Sequence, residues 1–264
     1  MIDLHCHILP DVDDGSKTMA MSVEMAKIYL KNGIKEIIAT PHYIEGDQFS
    51  TFEENKVVCE KFKDVLQREN IDLKVYLGQE IFLSPDIMKY LEEGRVGSLN
   101  GSKYVLIELA MANDYVHMEN VIYEFLMKGY IPVIAHPERY KKIQDDPNVL
   151  YEYIRLGALA QMNIRSLEGM YGDKAMNTAE ILAACGMYQF TGTDAHSDEG
   201  RSPEVGKSLE ILKGIVSEKE FEKITFTNSK ALLENKDIIF EEPKKYEGRK
   251  KGILFRLKSK VSLF

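Results

Sequence analysis

Five of the six histidines stand at or just past the ends of short apolar runs. His5 and His7 close the first run as H-x-H. Side chains alternate along a strand, so both imidazoles face one way and Cys6 faces the other. Two imidazoles on one face is the geometry a metal needs. His42 follows the second run in TPHY, His136 the fifth in HPERY and His196 the seventh in TDAH. Acidic residues keep the same company: Asp14 in PDVDDG, Glu80 in GQEI, Glu108 at the end of YVLIEL, and Asp194 in TDAH. A carboxylate in so apolar a strand is costly unless it is paired or metal-bound. Each feature has an ordinary alternative, a surface histidine pair or a D-D-G turn. Chance does not place five of six histidines equivalently, so one shared site is favoured. His117 begins a helical pattern and reads as a surface residue.

The donor set is imidazole and carboxylate without thiolate. It suits Mn²⁺, with Fe or Zn²⁺ as alternatives and Mg²⁺ disfavoured. Five histidines and four carboxylates exceed one ion's need, so two or three ions with a bridging carboxylate are expected. Such clusters generate a hydroxide nucleophile and clamp both oxygens of a displacement at phosphorus. Arg139, three residues after His136, and Arg201, five after His196, fit the receiving role. A guanidinium binds phosphate oxygens in pairs. Alone, each would read as a solvated ion pair; their place in the histidine-bearing loops favours phosphate. A cysteine nucleophile would need an arginine six residues on, but positions 12, 65 and 191 are Val, Val and Thr.

These residues need a frame that gathers strand ends. Apolar runs at Met1–Cys6, Ile34–Ala39, Leu73–Leu77, Tyr104–Leu109, Ile131–Ala135, Ala158–Met162 and Tyr188–Phe190 read as seven strands. Amphipathic segments at Met19–Lys31, Phe52–Glu69, His117–Lys128, Val149–Arg155 and Ala175–Cys185 separate most of them. Gly33, Gly129, Gly157 and Gly186 sit where left-handed helix caps are wanted. The alternation predicts a parallel α/β barrel over residues 1–240, followed by a basic amphipathic tail over 241–264. Ligand sites gather at the carboxyl ends of barrel strands, where the histidines stand.

No basic-then-apolar leader is read at the start. No run is long and apolar enough to span a membrane. The three cysteines form no disulfide framework, which points to the cytoplasm. The net charge of −8 argues against general nucleic-acid binding. A homo-oligomer is compatible with the sequence.

The blocks IDLHCHILPDVDDG, ATPHY, GQEI, LIEL, IAHPERY and GTDAHS resemble the polymerase-and-histidinol-phosphatase (PHP) superfamily. Within it, the chain is most similar to bacterial protein-tyrosine phosphatases of capsule and exopolysaccharide systems, over roughly residues 1–235. The resemblance implies a distorted (β/α)₇ barrel with three metal positions. His5, His7, Glu80 and Asp194 would hold the first. Glu80 would bridge to a second, completed by Glu108 and His136. Asp14, His42 and His196 would hold the third. It further implies Arg139, Arg201 and His42 as catalytic residues, the arginines receiving phosphate. The substrate would be a phosphotyrosine protein, namely a partner tyrosine autokinase. Arg165, in QMNIRS, adds a third cation near the expected substrate rim, and the segment LAMANDYVHMEN after Glu108 departs from the family pattern. Competing functions are a small-molecule phosphatase acting on histidinol phosphate or a nucleotide, and an inactive metal-bound scaffold for the kinase. The intact ligand set disfavours the scaffold.

Residues 244–264 hold eight Lys or Arg against one Glu, interleaved with Ile253, Leu254, Phe255, Leu257, Val261, Leu263 and Phe264. This pattern fits a segment lying on an anionic membrane surface. A solvated tail is the alternative.

Overall fold

The computed structural model of the chain describes residues 1–47, 49–111 and 117–248. Among them nine strands alternate with ten helices. The first half holds β1 (Asp3–Cys6), α1 (Met19–Lys31), β2 (Glu36–Ala39), β3 (His42–Tyr43), α2 (Phe52–Arg68), β4 (Lys74–Leu77), β5 (Glu80–Phe82) and α3 (Ile87–Glu92). It continues with β6 (Tyr104–Glu108), α4 (Met118–Met127), β7 (Ile131–Ala135), α5 (Lys141–Asp145), α6 (Asn148–Arg155) and β8 (Leu159–Asn163). The last elements are α7 (Asp173–Ala184), β9 (Phe190–Gly192), α8 (Gly206–Ile215), α9 (Glu218–Glu222) and α10 (Asn228–Leu233).

All pairings are parallel, in the orders β1-β2-β4 and β3-β5-β6-β7-β8-β9. The two ladders form one wall. β2 leads into β3 across Thr40–Pro41, and β4 into β5 across Gly78–Gln79. Pro41 has no N–H to give, yet pairing continues: Gly78 N–H donates to Ala39 O at 2.8 Å and Glu80 N–H to Pro41 O at 3.1 Å. On the far side, Asp194 N–H donates to His5 O and His7 N–H to Ala195 O, both at 2.8 Å. Seven strand runs thus curl into the distorted barrel expected from the seven apolar runs.

The runs are nearly all apolar because both faces of the wall are covered. Leu4, Ile38, Leu106, Val133 and Phe190 belong to a small buried cluster that plugs the barrel. Alternate residues such as Val105, Ile107 and Ile134 join a larger cluster with Met25, Phe62, Phe125 and Leu182 of the helices. Helix α2 starts on a capping box in which Thr51 and Glu54 satisfy each other's backbone. The four glycines expected as caps all have positive φ, from 70° to 109°.

The helices α3, α5, α8, α9 and α10 were not among the segments expected. Four are six residues or shorter, too few turns for a visible period. Residues 241–248, assigned to the tail by composition, lie on the barrel: Lys244 N–H donates to Cys185 O, and Tyr246 and Asn148 exchange two hydrogen bonds. The rest of the tail, 249–264, and part of the divergent segment after Glu108, 112–116, lie outside the described residues. No described helix is long and apolar enough to cross a membrane.

The seam between β1 and β9 rests on Asp3, which is fully buried. Its carboxylate accepts from Thr193 N–H (2.9 Å), the Thr193 hydroxyl (2.5 Å) and the Tyr29 hydroxyl of α1 (2.5 Å). Burial raises its pKa against these bonds. Tyr29→Phe removes one donor from a buried acid, and urea denaturation should show a loss of about 1–3 kcal/mol. An unshifted midpoint would show that the seam does not depend on this bond.

Candidate metal centre

The plug of apolar side chains closes the barrel below, and the polar residues stand above it at the strand ends. His5 and His7 are fully buried. Two glycines let other segments close on this strand. A Cβ at Gly15 would stand 2.4 Å from His7 Cβ, and one at Gly192 would stand 2.7 Å from His5 Cβ. Neither approach is open to a larger residue.

Glu80, also fully buried, lies at the centre. Its Oε2 is 3.2 Å from His5 Nε2, 3.3 Å from His7 Nε2 and 3.0 Å from His42 Nδ1. Its Oε1 is 2.9 Å from His136 Nε2, which is 3.6 Å from Glu108 Oε1. Asp194 Oδ1 lies 3.6 Å from His5 and 3.5 Å from both His7 and His196. Half-exposed Asp14 reaches His42 Nε2 at 3.5 Å and His196 Nε2 at 3.4 Å. All nine residues singled out in the sequence therefore converge, while His117 is exposed at the start of α4. Two of them, His136 (φ 33°) and Asp194 (φ 52°), hold left-handed backbone, where strain commonly marks a functional site.

Three groups of donors could each hold a cation: His5, His7 and Glu80; His42, Glu80 and Glu108; and His7, Asp14, His42 and His196. His42 Nδ1, Glu80 Oε2 and His196 Nε2 are buried without an aligned hydrogen bond, although charged atoms lie within 3.5 Å. They aim at shared points rather than at one another, which is what ligands around a cation do. The electrostatics agree. Burial and the neighbouring Glu80 push Glu108 up to about 8. Burial would push Glu80 the same way, but His5 and His42 hold it well below the usual carboxylate range. Burial, with Arg139 beside it, lowers His136 to about 4, leaving a neutral imidazole free to bind a metal.

Several supporting residues were not singled out in the sequence. Asp13, next to the expected Asp14, accepts from the His7 ring at 2.7 Å and from His42 N–H at 2.9 Å. Burial opposes its charge, but His7 outweighs it and holds Asp13 at about 2. Gln161 Oε1 lies 2.9 Å from His5 Nδ1. Both fix which ring nitrogen faces the centre. Glu138 of HPER is fully buried and takes donors from Asn163 N–H, Ser166 and Tyr188, tying the loop after β7 to β8.

The arginines meet the centre through Asp194. Arg139 Nη1 is 2.9 Å and Arg201 Nη2 2.7 Å from Asp194 Oδ2. Arg165 Nη1 donates to the carbonyls of Gly200 (2.8 Å) and Ser202 (3.0 Å) and braces the loop that carries Arg201. Cys6 Sγ points outward to Ile38 O, as the strand period requires.

Asp13→Ala should lower metal affinity by about 10–100-fold, because His7 loses its orienting partner while all nine inner donors remain. Chelator competition measures it, and wild-type affinity would remove Asp13 from the site.

Residues 1–234 match the family described as capsular polysaccharide synthesis, CpsB/CapC. The tyrosine-protein phosphatase YwqE of Bacillus subtilis (strain 168) is 35% identical over 254 residues, covering 95% of this chain and 98% of that one. Tyrosine-protein phosphatase CpsB of Streptococcus pneumoniae is 28% identical over 241 residues, covering 88% and 98%. A crystal structure from the work on YwqE and CpsB, described as unique metal-dependent tyrosine phosphatases, is similar with a TM-score of 0.89 at 34% identity, covering 94% of this chain and 100% of that one. A histidinol phosphate phosphatase from Lactococcus lactis shares the fold at a TM-score of 0.54 and 14% identity, covering 85% and 94%. The chain belongs to the CpsB/CapC family of capsular polysaccharide synthesis.

Proposed function

We propose that this chain is a metal-dependent protein-tyrosine phosphatase whose substrate is a tyrosine autokinase of a polysaccharide export system. The observation that carries the reading is the convergence of five imidazoles and four carboxylates beside two guanidinium groups. Relatives along nearly the full chain are named tyrosine-protein phosphatases. The donor set fits three divalent ions, best Mn²⁺, with Fe or Zn²⁺ as alternatives. His5, His7, Glu80 and Asp194 would hold one; Glu80, Glu108 and His136 a second; Asp14, His42 and His196 a third. Bound metals would supply an activated water and neutralise phosphate charge.

The chain's own residues do the rest. Arg139 and Arg201 receive the phosphate oxygens, each with donors beyond the one given to Asp194. The leaving tyrosyl oxygen makes only a modest demand for a proton, because phenolate leaves readily, and a nearby histidine or a metal-activated water would meet it. Phe49 stacks against the His42 ring at 5.9 Å and walls that side of the mouth. No cysteine competes as nucleophile: burial pushes the Cys6 thiol well up and Cys59 up to about 11. The enzyme works in the cytoplasm, and the basic apolar tail beyond Gly248 holds it against anionic lipid near a membrane-bound kinase.

With Mn²⁺ loaded, the chain should hydrolyse a phosphotyrosyl peptide far faster than histidinol phosphate, lose activity to a chelator and keep it through iodoacetamide. His136→Ala should lose metal and turnover together. Arg201→Ala should keep its metal while kcat/KM falls about 100-fold, the scale of one missing charge clamp. Preference for histidinol phosphate would move the function to small-molecule hydrolysis. The full chain should co-sediment with anionic vesicles more strongly than a chain ending at Gly248; equal binding would sink the membrane role.

A further inference from the structure

Two positive guanidinium groups share one oxygen at the mouth of the site. Arg139 donates to Asp194 Oδ2 at 2.9 Å, and Arg201 Nη2 lies 2.7 Å from the same oxygen while donating to the Asp194 carbonyl at 3.2 Å. Like charges so close repel, and each arginine has several rotatable bonds that favour spreading into solvent. One carboxylate oxygen does not fix two planar groups in a single arrangement. A second element does. The Tyr171 ring lies beneath both: the Arg139 guanidinium carbon is 4.5 Å from its centroid and that of Arg201 5.9 Å. Both fall within the range where a cation is attracted to an aromatic face. A planar guanidinium also stacks on such a face, which restricts its rotation as well as its position.

Tyr171 is itself held. Its hydroxyl accepts from Asn163 Nδ2 at 3.0 Å, and the same amide nitrogen donates to Asp194 Oδ2 at 2.9 Å. Gly169 (φ 80°) and Gly172 (φ 88°) flank it, so the chain turns tightly into and out of the one residue that points at the arginines. Tyr171 reaches no candidate metal donor except Asp194, at 3.5 Å. Its place in the site is defined by the arginines.

The geometry points to Tyr171 as the positioning residue that stacks both arginines into one preformed phosphate clamp. The inference rests on the phosphatase reading above. Tyr171 acts through Arg139 and Arg201 and does not itself touch the reacting atoms. It predicts that the ring matters more than the hydroxyl, because the ring carries the contact to both cations.

The test uses the full-length, Mn²⁺-loaded protein and compares Tyr171→Leu with Tyr171→Phe. The readouts are KM and kcat for p-nitrophenyl phosphate, the inhibition constant of inorganic phosphate, and bound metal. Tyr171→Leu should raise KM and the phosphate constant about tenfold, the scale of two modest cation–aromatic contacts, with most of the loss in binding and metal content retained. Tyr171→Phe should restore most of it. In an Arg139→Lys/Arg201→Lys background the Leu change should add less than about twofold, because coupled residues do not add. An unchanged phosphate constant in Tyr171→Leu overturns the inference. So does a full effect in the lysine background, a phenylalanine variant as weak as leucine, or loss of metal, which would make the role structural. If the wild type neither turns over nor binds phosphate, the phosphatase reading falls and takes this inference with it.

Discussion

Glu80 is a fully buried carboxylate with four imidazoles within 3.3 Å. Around it stand Glu108 and Asp194, so three carboxylates share a volume that water reaches poorly. Bringing like charges together out of water costs free energy, and the upward push on Glu108 to about 8 records that cost. Burial lowers His42, His136 and His196 toward neutrality, whereas the acidic neighbours Glu80 and Asp13 outweigh burial and raise His5 and His7, which offset part of that cost. Three carboxylates, two of them held ionised, crowded beside neutral imidazoles make an arrangement suited to cations. Most other features of the fold follow as means of holding those groups together against their own repulsion.

The barrel supplies the holding force away from the site. The apolar plug and the helical cluster pack away from the donors, and the polar groups ride on the ends of strands fixed by that packing. The seam at Asp3 shows how closely the two are joined. Asp3 accepts from His5 N–H at 3.2 Å and from Thr193 N–H at 2.9 Å, and these residues neighbour two metal-ligand candidates, His7 and Asp194. One buried carboxylate aligns the first and last strands and thereby sets the spacing of donors almost 190 residues apart in the chain.

How much of this was legible depended on whether a residue's role is local. The H-x-H pair, the four cap glycines and the seven apolar runs are local patterns, and each run meets a strand, although the last strand, Phe190–Gly192, begins only where the run Tyr188–Phe190 ends. β3 and β5 were not seen as strands because Thr40–Pro41 and Gly78–Gln79 break the apolar runs. Only backbone pairing, which composition does not express, carries the wall across those breaks. Asp13 and Asp14 are adjacent and chemically identical. Which one turns inward to the His7 ring depends on how the loop closes over Gly15, where a Cβ would stand 2.3 Å from His7 O. Gln161 and Asn163 did leave a trace, as polar residues inside an otherwise apolar run, but their partners belong to distant segments. Arg165 is legible only in part for the same reason. Its position at the rim was right, and its partners, two loop carbonyls, have no side-chain signature.

Asp194 joins the two halves of the chemistry. One carboxylate oxygen, Oδ1, faces His5, His7 and His196; the other, Oδ2, faces Arg139, Arg201 and Asn163. Burial opposes its charge, yet His5 and Arg201 hold it ionised well below the usual range. A single negative group therefore fixes the distance between the donors for cations and the donors for phosphate. If the two sets were held by separate residues, each could drift with its own loop. Held on the two oxygens of one carboxylate, they move together. The left-handed backbone at Asp194 (φ 52°) sets the side chain between them, and the hydrogen bond from its N–H to His5 O anchors that conformation to β1.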